Sequence, residues 1–533
     1  MRKSILALIV AVVFLLIMGC GSQSSVDTGT SPSVSTASVG LTVTDTPPAG
    51  VTVLFFQLGI TEATLQPGNV SLLRSTNPIP VNVSQLQTES AFLGSANVAA
   101  GNYTSLSLTF ANPQLTIYNG TGADIGSCAN NTVCRLTPAV TPLTLNFSTA
   151  PFPLTLTANS SLAFKLDIHL DTVIQSDLTV DLATPNGVTL SQLTAPPRQP
   201  IPALGKLTGT VQTVGTNQFT LQGMEGRTFT ILVNDSTTYS FPSSVCPAGA
   251  FSCLAAGQVV KVLVSLQSDG SLLAQKVEYF QPATQQSVEG SIVGLSTSGT
   301  DTVMDLILQV QPMNSMSAML PVGHHVRVTV PSTGVTYAVN WGSFTPPSGL
   351  SFSGASDLQV GQEVLVVVQG SVTAASDPGT NGPTIPDPGG STGSAPGGST
   401  GSTPGGSTGL TPVGPANITF TTNSITLEPS QITGTVAATN AGALSFSLAT
   451  RPASFMAPSA TVGARPTFEP VIITVQTTTA TTFKNFTPND ISGLTVNDVV
   501  SVHGWLFSTP TAAPKTTIAA DSVLKRPAPT ASF

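Results

Sequence analysis

Charge is what this sequence has least of. Asp, Glu, Lys and Arg together make up 8% of 533 residues, and the formal net charge is −8. The 17 Lys and Arg residues are scattered, with no basic stripe or run. Binding to a phosphate backbone needs clustered cations, so nucleic acid is not an expected partner. Histidine is scarce too: His169, His324, His325 and His503 are the full set. They lie in separate stretches, which argues against a Ser-His-Asp arrangement. The chain has no Gly-x-Ser-x-Gly elbow, no His-Glu-x-x-His and no phosphate loop. Paired carboxylates remain an open route to acid–base chemistry, but Asp and Glu are few and dispersed. Neither enzymatic activity nor a cofactor is therefore expected. Aromatic residues are 6% of the chain, with two tryptophans, which disfavours the aromatic platforms of glycan sites. No long apolar run follows the N-terminal one, and no convincing amphipathic helix is present.

What is present begins with the N-terminus. Met1-Arg2-Lys3 is a short positive start, and Ser4 to Met18 is almost wholly apolar. Ile5 to Met18 is 14 residues, short of the ~20 needed to span a bilayer. Gly19-Cys20-Gly21-Ser22 then turns small and polar. This is the layout of a secretory signal, here ending on Leu16-Ile17-Met18-Gly19-Cys20, which resembles a bacterial lipobox. The resemblance implies a signal peptide over 1–19 and a lipid-bearing Cys20 as the mature N-terminus. The partner so implied is a membrane, held through lipid. Residues 20–38, rich in Ser, Thr and Gly, read as a flexible tether. Gly21 stands where many Gram-negative lipoproteins kept at the inner membrane have Asp, so the outer membrane or cell surface is the expected location.

The remaining four cysteines fall into two close pairs, Cys128/Cys134 and Cys246/Cys253. In an oxidising compartment each pair can close a small loop as a disulfide. A four-cysteine metal site is the alternative, but the spacings do not match zinc knuckles.

Few charges, many β-branched residues and frequent Gly and Pro (48 and 42) point to short strands and turns. In residues 39–200, extended patterns run from Val39 to Asp45, from Val51 to Leu65, and over Leu106–Phe110 after the turn Ala100-Gly101-Asn102. Phe164 to Asp171 alternates most cleanly. Such a pattern predicts an antiparallel β-sandwich, immunoglobulin- or transthyretin-like. Val43-Thr44-Asp45-Thr46-Pro47, the segment Val53 to Ala63, and Ala99-Ala100-Gly101-Asn102-Tyr103-Thr104 together resemble the bacterial lipoprotein family called domain of unknown function 4382. The resemblance covers about residues 39–190; Ala100 replaces an expected Pro, and the Cys128/Cys134 loop looks inserted. It implies a secreted all-β envelope protein and transfers no catalytic residues.

Residues 204–528 contain an internal repeat. An opening strand recurs as Leu207–Val211, Val288–Ile292 and Ile432–Val436, each with glycine at its centre. A middle strand recurs as Phe229–Val233, Val326–Val330 and Val471–Val475. Thr238-Tyr239, Thr336-Tyr337 and Thr482-Phe483 follow. Turns then lead into strands at Leu254–Val260, Leu358–Val364 and Leu494–Val500. Gly257, Gly361 and Asn497 share one position in them, as a backbone site with positive φ would require. Closing strands lie at Ala274–Val277, Thr422–Ile425 and Ala520–Val523. The units resemble domain of unknown function 5666, and five strands with an opening glycine suggest small OB-like barrels. Three modules are expected, over 204–282, 286–429 and 430–528. OB-folds often bind oligonucleotides or oligosaccharides. Within the second module, residues 374–413 are low in complexity, with Gly-Gly-Ser-Thr-Gly at 389, 397 and 405, and are expected to be a disordered insertion.

Asp167, His169 and Asp171 are spaced to share one face of a strand and could ligate a metal. The same alternation makes Phe164, Leu166, Ile168 and Leu170 the core face and the polar set its solvated reverse, so no metal site is expected. His324-His325 is expected on an exposed turn, and His503 as a hydrogen-bonded structural residue. The role these features suggest is structural or adhesive, with β-modules presented to envelope proteins or glycans. A dedicated carbohydrate-binding lipoprotein is the alternative, and an envelope-polymer hydrolase ranks third.

Overall fold

The structure is a computed structural model. It describes residues 36–46 and 52–526, less 120–123, 125–127, 130–131, 176, 196–198, 224–225, 243–244, 247, 283–285, 311–319, 343, 375–417, 451–470 and 510–515. The signal peptide, Cys20 and the tether up to residue 35 therefore lie outside the described residues. So does almost all of the low-complexity segment 374–413. Among the described residues no helix is long and apolar enough to cross a membrane.

The protein is all-β, as the strand and turn pattern predicts. In the N-terminal sandwich, one sheet contains Thr36–Thr46, Ala91–Ala99, Ser161–His169 and Val188–Thr194. The other contains Thr52–Gln66, Val70–Asn82, Ser105–Asn119, Thr132–Leu136 and Thr144–Phe147. Val39, Leu41, Val43, Phe164, Leu166 and Ile168 from the first sheet meet Phe56, Leu58, Ile60, Leu106, Leu108 and Phe110 from the second. All twelve are at most 2% exposed, as expected where period-2 alternation turns one face inward. Two pairings depart from an antiparallel pattern: Thr36–Thr46 runs parallel to Ser161–His169, and the short strands Val140–Thr141 and Val180–Asp181 run parallel to each other.

Each repeat unit closes into a five-stranded barrel. In the first unit the strands are Ile201–Val214, Gln218–Gly223, Thr228–Leu232, Gln258–Leu266 and Leu272–Pro282. The first pairs the second, the second the third, the third the fifth, the fifth the fourth, and the fourth the first. The third and fifth run parallel; the other pairs are antiparallel. Ser287–Ser298, Asp301–Val310, His325–Val330, Glu363–Ala374 and Ile418–Glu428 repeat this circuit. Ser430–Asn440, Ser445–Thr450, Val471–Gln476, Val499–Ser508 and Thr516–Lys525 repeat it again. A sixth short strand, Thr238–Ser240, Thr336–Val339 or Thr482–Lys484, adds in parallel to each fifth strand. It carries the aromatic residue noted after threonine in each repeat.

The recurrent residues of the repeat have two backbone causes. At the centre of each first strand, a Cβ on Gly209, Gly290 or Gly434 would stand 2.3–2.7 Å from the carbonyl oxygen of Gln222, Ile307 or Ala449. The barrel bends there too tightly for a side chain. Gly257, Gly361 and Asn497 have φ of 82°, 97° and 74°. Their N–H groups donate to the carbonyls of Val211, Ile292 and Val436, so the turn closes back on the first strand of its own barrel.

The modules are joined edge to edge. Lys206 of the first barrel pairs in parallel with Ala91, and its N–H donates to the Ser90 carbonyl at 2.7 Å. One sheet thus runs from the sandwich into the barrel. Gln309 of the second barrel donates to the Leu54 carbonyl, and Thr116 donates to Gly323. Gln431 of the third barrel accepts from the Thr88 N–H and hydroxyl and donates to the Gln85 carbonyl. The sandwich segment 85–89 therefore lies against more than one barrel.

In the second barrel Ala374 and Ile418 are directly paired, so the low-complexity segment is inserted between two adjacent strands. Replacing residues 375–417 by a short Gly-Ser turn is expected to preserve the barrel. The thermal midpoint should hold or rise, since the shorter loop costs about 2 kcal/mol less chain entropy to close. Loss of protease resistance in the second barrel would contradict this pairing.

Candidate functional site

Where the sandwich and the three barrels meet there is a cavity of about 280 Å³. Its wall carries most of the charge found in the barrel strands: Lys206, Lys261, Lys276 and Glu278 from the first barrel, Glu289 and Glu428 from the second, His503 and Asp521 from the third, and Glu89 from the sandwich. Both tryptophans, Trp341 and Trp505, line it with Phe344. Gly342, Ala480 and Thr482 are exposed lining residues and mark its mouth.

The charges form a chain of ion pairs. Asp521 meets His503 Nδ1 at 2.6 Å, and His503 Nε2 lies 3.7 Å from Glu89. Glu89 meets Lys206 Nζ at 2.5 Å, Lys206 meets Glu278 at 3.2 Å, and Glu278 meets Lys276 at 2.6 Å. A separate pair, Lys261–Glu289 at 3.1 Å, links the first barrel to the second, and Lys261 also sits 4.8 Å over the Phe280 ring. Burial disfavours the charged forms of Glu89, Lys206, Lys261, Glu278, His503 and Asp521, and the partners outweigh it. Lys206 is held well above the ordinary lysine value by Glu278 and Glu89, and Glu278 well below its own by Lys206 and Lys276. Glu89 is lowered by Lys206 and His503. His503 is raised by Asp521 and Glu89, so the imidazolium is the favoured form.

Two carboxyl groups behave oppositely. Glu363 and Glu428 stand opposite one another on paired strands. Burial, reinforced by Glu289, pushes Glu428 up to about 8 against the pull of Lys261 and of Asn340, whose Nδ2 donates to both its oxygens at 3.0 and 3.3 Å. Burial likewise pushes Glu363 up to about 7, although Ser291 and Gln85 donate to it. The aromatic wall is rigidly placed. Trp505 Nε1 donates to the Asn340 carbonyl at 3.0 Å. Phe344 stacks on Trp505 at 5.2 Å and 22°, and Trp341 lies 4.9 Å from Trp505.

The sequence candidates are dispersed. The strand beginning at Ser161 stops at His169, and Leu170–Val173 forms a helical turn. Asp171 is therefore not on the strand with Asp167 and His169, which corrects the expected shared face: the turn breaks the period of two. Asp167 and His169 lie 3.9 Å apart, and among the described residues no group of three or more metal-ligating side chains is found. The reverse face is half-buried rather than solvated; Lys165 on it lies in the field of Lys484 and Arg526 of the third barrel. His324 and His325 are also half-buried rather than on an exposed turn, because the second barrel is docked there. Burial, with Arg135 of the sandwich nearby, pushes His324 down to about 4. His325 faces Asp305 at 3.4 Å. His503 is hydrogen-bonded as expected, and it also lines the cavity. Cys128–Cys134 and Cys246–Cys253 are disulfides, and none of the four cysteines lines the cavity.

Residues 36–192 match the family model described as domain of unknown function (DUF4382). The sandwich is a DUF4382 domain. Residues 208–278 and 467–508 match domain of unknown function (DUF5666), so the chain carries a DUF4382 domain followed by DUF5666 repeats. The second barrel shares their strand circuit. No curated protein matches the chain at a significant level.

Two substitutions probe the charged groups at the module junction, Lys206 on the cavity wall and Glu363 beside it on the strand paired with Glu428. Lys206→Met leaves Glu89 and Glu278, half-buried on the cavity wall, without their shared cation and should cost about 2–3 kcal/mol in urea unfolding at pH 7, less than for a fully enclosed pair. A change under about 1 kcal/mol would show the cluster to be solvated. Glu363→Gln has a pH signature. The unfolded chain loses the Glu363 proton near pH 4.5, whereas the folded protein keeps it to about pH 7. Between those values the unfolded state binds fewer protons, so stability falls as pH rises. The variant should gain on the order of 3 kcal/mol at pH 8 and nothing at pH 4. An equal gain at both would contradict the assignment.

Proposed function

We propose that this chain is a lipid-anchored protein of the bacterial cell envelope that acts by binding a small ligand in its central cavity, without catalysing a reaction. The carrying observation is the cavity itself. Its wall draws charged residues from the sandwich and from all three barrels, so modules of no known activity share one chemically rich interior. Binding is favoured over catalysis because the lysines, the histidine and every carboxylate of the wall but Glu428, which Asn340 holds, are engaged with one another in ion pairs. A general acid or base needs a proton-transfer partner in the substrate rather than a fixed counter-ion. It is favoured over a purely adhesive string of modules because the barrels are docked edge to edge.

Anchoring rests on the lipobox-like Leu16-Ile17-Met18-Gly19-Cys20 and on the Ser/Thr/Gly-rich stretch behind it. Gly21 favours the outer membrane or surface over the inner membrane. Two disulfides accord with an oxidising compartment.

The anchoring half is tested by fractionation and mass spectrometry of the N-terminal peptide. The wild-type protein should sediment with membranes and carry an acylated Cys20. Cys20→Ser should yield soluble protein or an uncleaved precursor. An unmodified Cys20 in the wild type would overturn the anchor.

A further inference from the structure

We infer that the central cavity takes a neutral, hydroxyl-rich ring, a single uncharged sugar unit, laid against Trp341 and Phe344 with its hydroxyl groups turned toward Glu428, Asn340 and Lys261. This rests on the reading of the cavity as a ligand site and specifies the ligand's chemical class.

The charge balance of the wall comes first. Five carboxyl groups, Glu89, Glu278, Glu289, Glu428 and Asp521, face four cations, Lys206, Lys261, Lys276 and His503. Asn340 clasps Glu428 through both oxygens, and Glu428 is the carboxyl group least provided with cations. It is 3% exposed, and burial favours its neutral form at pH 7. With His503 protonated, four anions then balance four cations. A ligand with net charge would enter a site whose own charges are already matched, and would itself be desolvated without a partner, at a cost of several kcal/mol. A neutral ligand carries no such penalty.

The hydrogen-bonding capacity of the wall comes second. Lysine ammonium groups and the Asn340 amide donate, and carboxylate oxygens accept. They are interleaved around a space of about 280 Å³, suited to one sugar ring rather than a chain. A hydroxyl group is both donor and acceptor, so a polyol can satisfy such an interleaved wall from any side. An apolar ligand would leave buried polar groups unpaired.

The aromatic wall comes third. Trp505 is 3% exposed and pinned by its bond to Asn340. Trp341 and Phe344 pack on it and are only half-buried, so they offer flat apolar surface beside the polar groups. A sugar ring has this same duality, with C–H faces and hydroxyl edges. Interdomain glue explains the paired charges. It does not explain why both tryptophans of the chain line a cavity rimmed by carboxyl and ammonium groups.

The two tryptophans make the test direct, because all indole emission comes from this wall. The full-length mature lipoprotein, in a detergent without a sugar headgroup, is titrated with D-glucose, D-galactose, D-mannose and N-acetyl-D-glucosamine. D-glucuronate, D-glucosamine and inorganic phosphate serve as charged probes of similar size. Emission and calorimetry are followed at pH 7. At least one neutral sugar should saturate the emission change at one site per chain, and the charged probes should bind at least about tenfold more weakly, the equivalent of 1.4 kcal/mol. Trp341→Ala and Glu428→Ala should each weaken that sugar by about tenfold or more, with the disulfides and far-UV spectrum retained. If a charged probe binds and no neutral sugar does, the ligand class is overturned while the cavity remains a ligand site. If no probe of either class alters emission or releases heat, the inference and the binding reading fall together. If a neutral sugar binds equally well to both variants, it binds elsewhere and the inference is overturned.

Discussion

The ammonium group of Lys206 lies between Glu89 and Glu278, and the arrangement of the whole folded part turns on it. An ion taken from water must be matched nearby or its burial costs several kcal/mol. Glu89 belongs to the sandwich, and Lys206 and Glu278 to the first barrel. Through His503, Glu89 also engages the third barrel. Docking either barrel in a different position would leave a buried ion without its partner. The penalty thus falls on every alternative arrangement, which is how a weakly stabilising ion pair can still be strongly specifying.

Apolar packing supplies the bulk of the docking energy, and the ions fix its geometry. Leu54 and Phe55 of the sandwich pack with Ile307 of the second barrel. Val259 and Phe280 of the first barrel pack with Leu365 of the second. Trp505, Phe507 and Ala519 of the third barrel join the core of the second. Contacts of this kind tolerate small slips. The ion pairs and the Gln431 bonds to Thr88 and Gln85 do not, because hydrogen bonds weaken steeply off their optimum geometry. Four modules docked in this way enclose a cavity that none of them could build alone.

The individual folds were legible in the sequence. Alternation at Phe164–Ile168, the glycine of each opening strand and the shared Gly257/Gly361/Asn497 position all have local backbone causes, and local causes leave local patterns. The hairpin partner strands Gln218–Gly223, Asp301–Val310 and Ser445–Thr450 were not legible because one leucine, Leu221, Leu306 or Leu448, is the residue they have in common, and a lone leucine is too common to mark a repeat. The end of the strand at His169 was also missed, since Leu170 continues the apolar alternation into a helical turn. The cavity was not legible at all. Its charged residues come from different repeat positions: Glu289 stands where the other repeats have Thr208 and Thr433, and Lys261 where they have Leu365 and Ser501. A signal did exist. In a chain this poor in charge, Glu289 and Lys261, which break the repeat's own pattern in a strand, mark the place where the first and second barrels are docked.

The central claim is that apolar packing, fixed in geometry by the ion pairs, holds the sandwich and barrels as one body. Hydrogen exchange of the intact mature protein, followed by mass spectrometry, tests it most directly. Peptides covering residues 83–90, 201–214, 430–440 and 499–508 contain the docking strands and the segment they share. If the modules form one cooperative unit, these peptides open together, with a common protection factor that falls in concert in urea. Peptides from the third barrel exchanging at low urea while those of the sandwich stay protected would contradict the account.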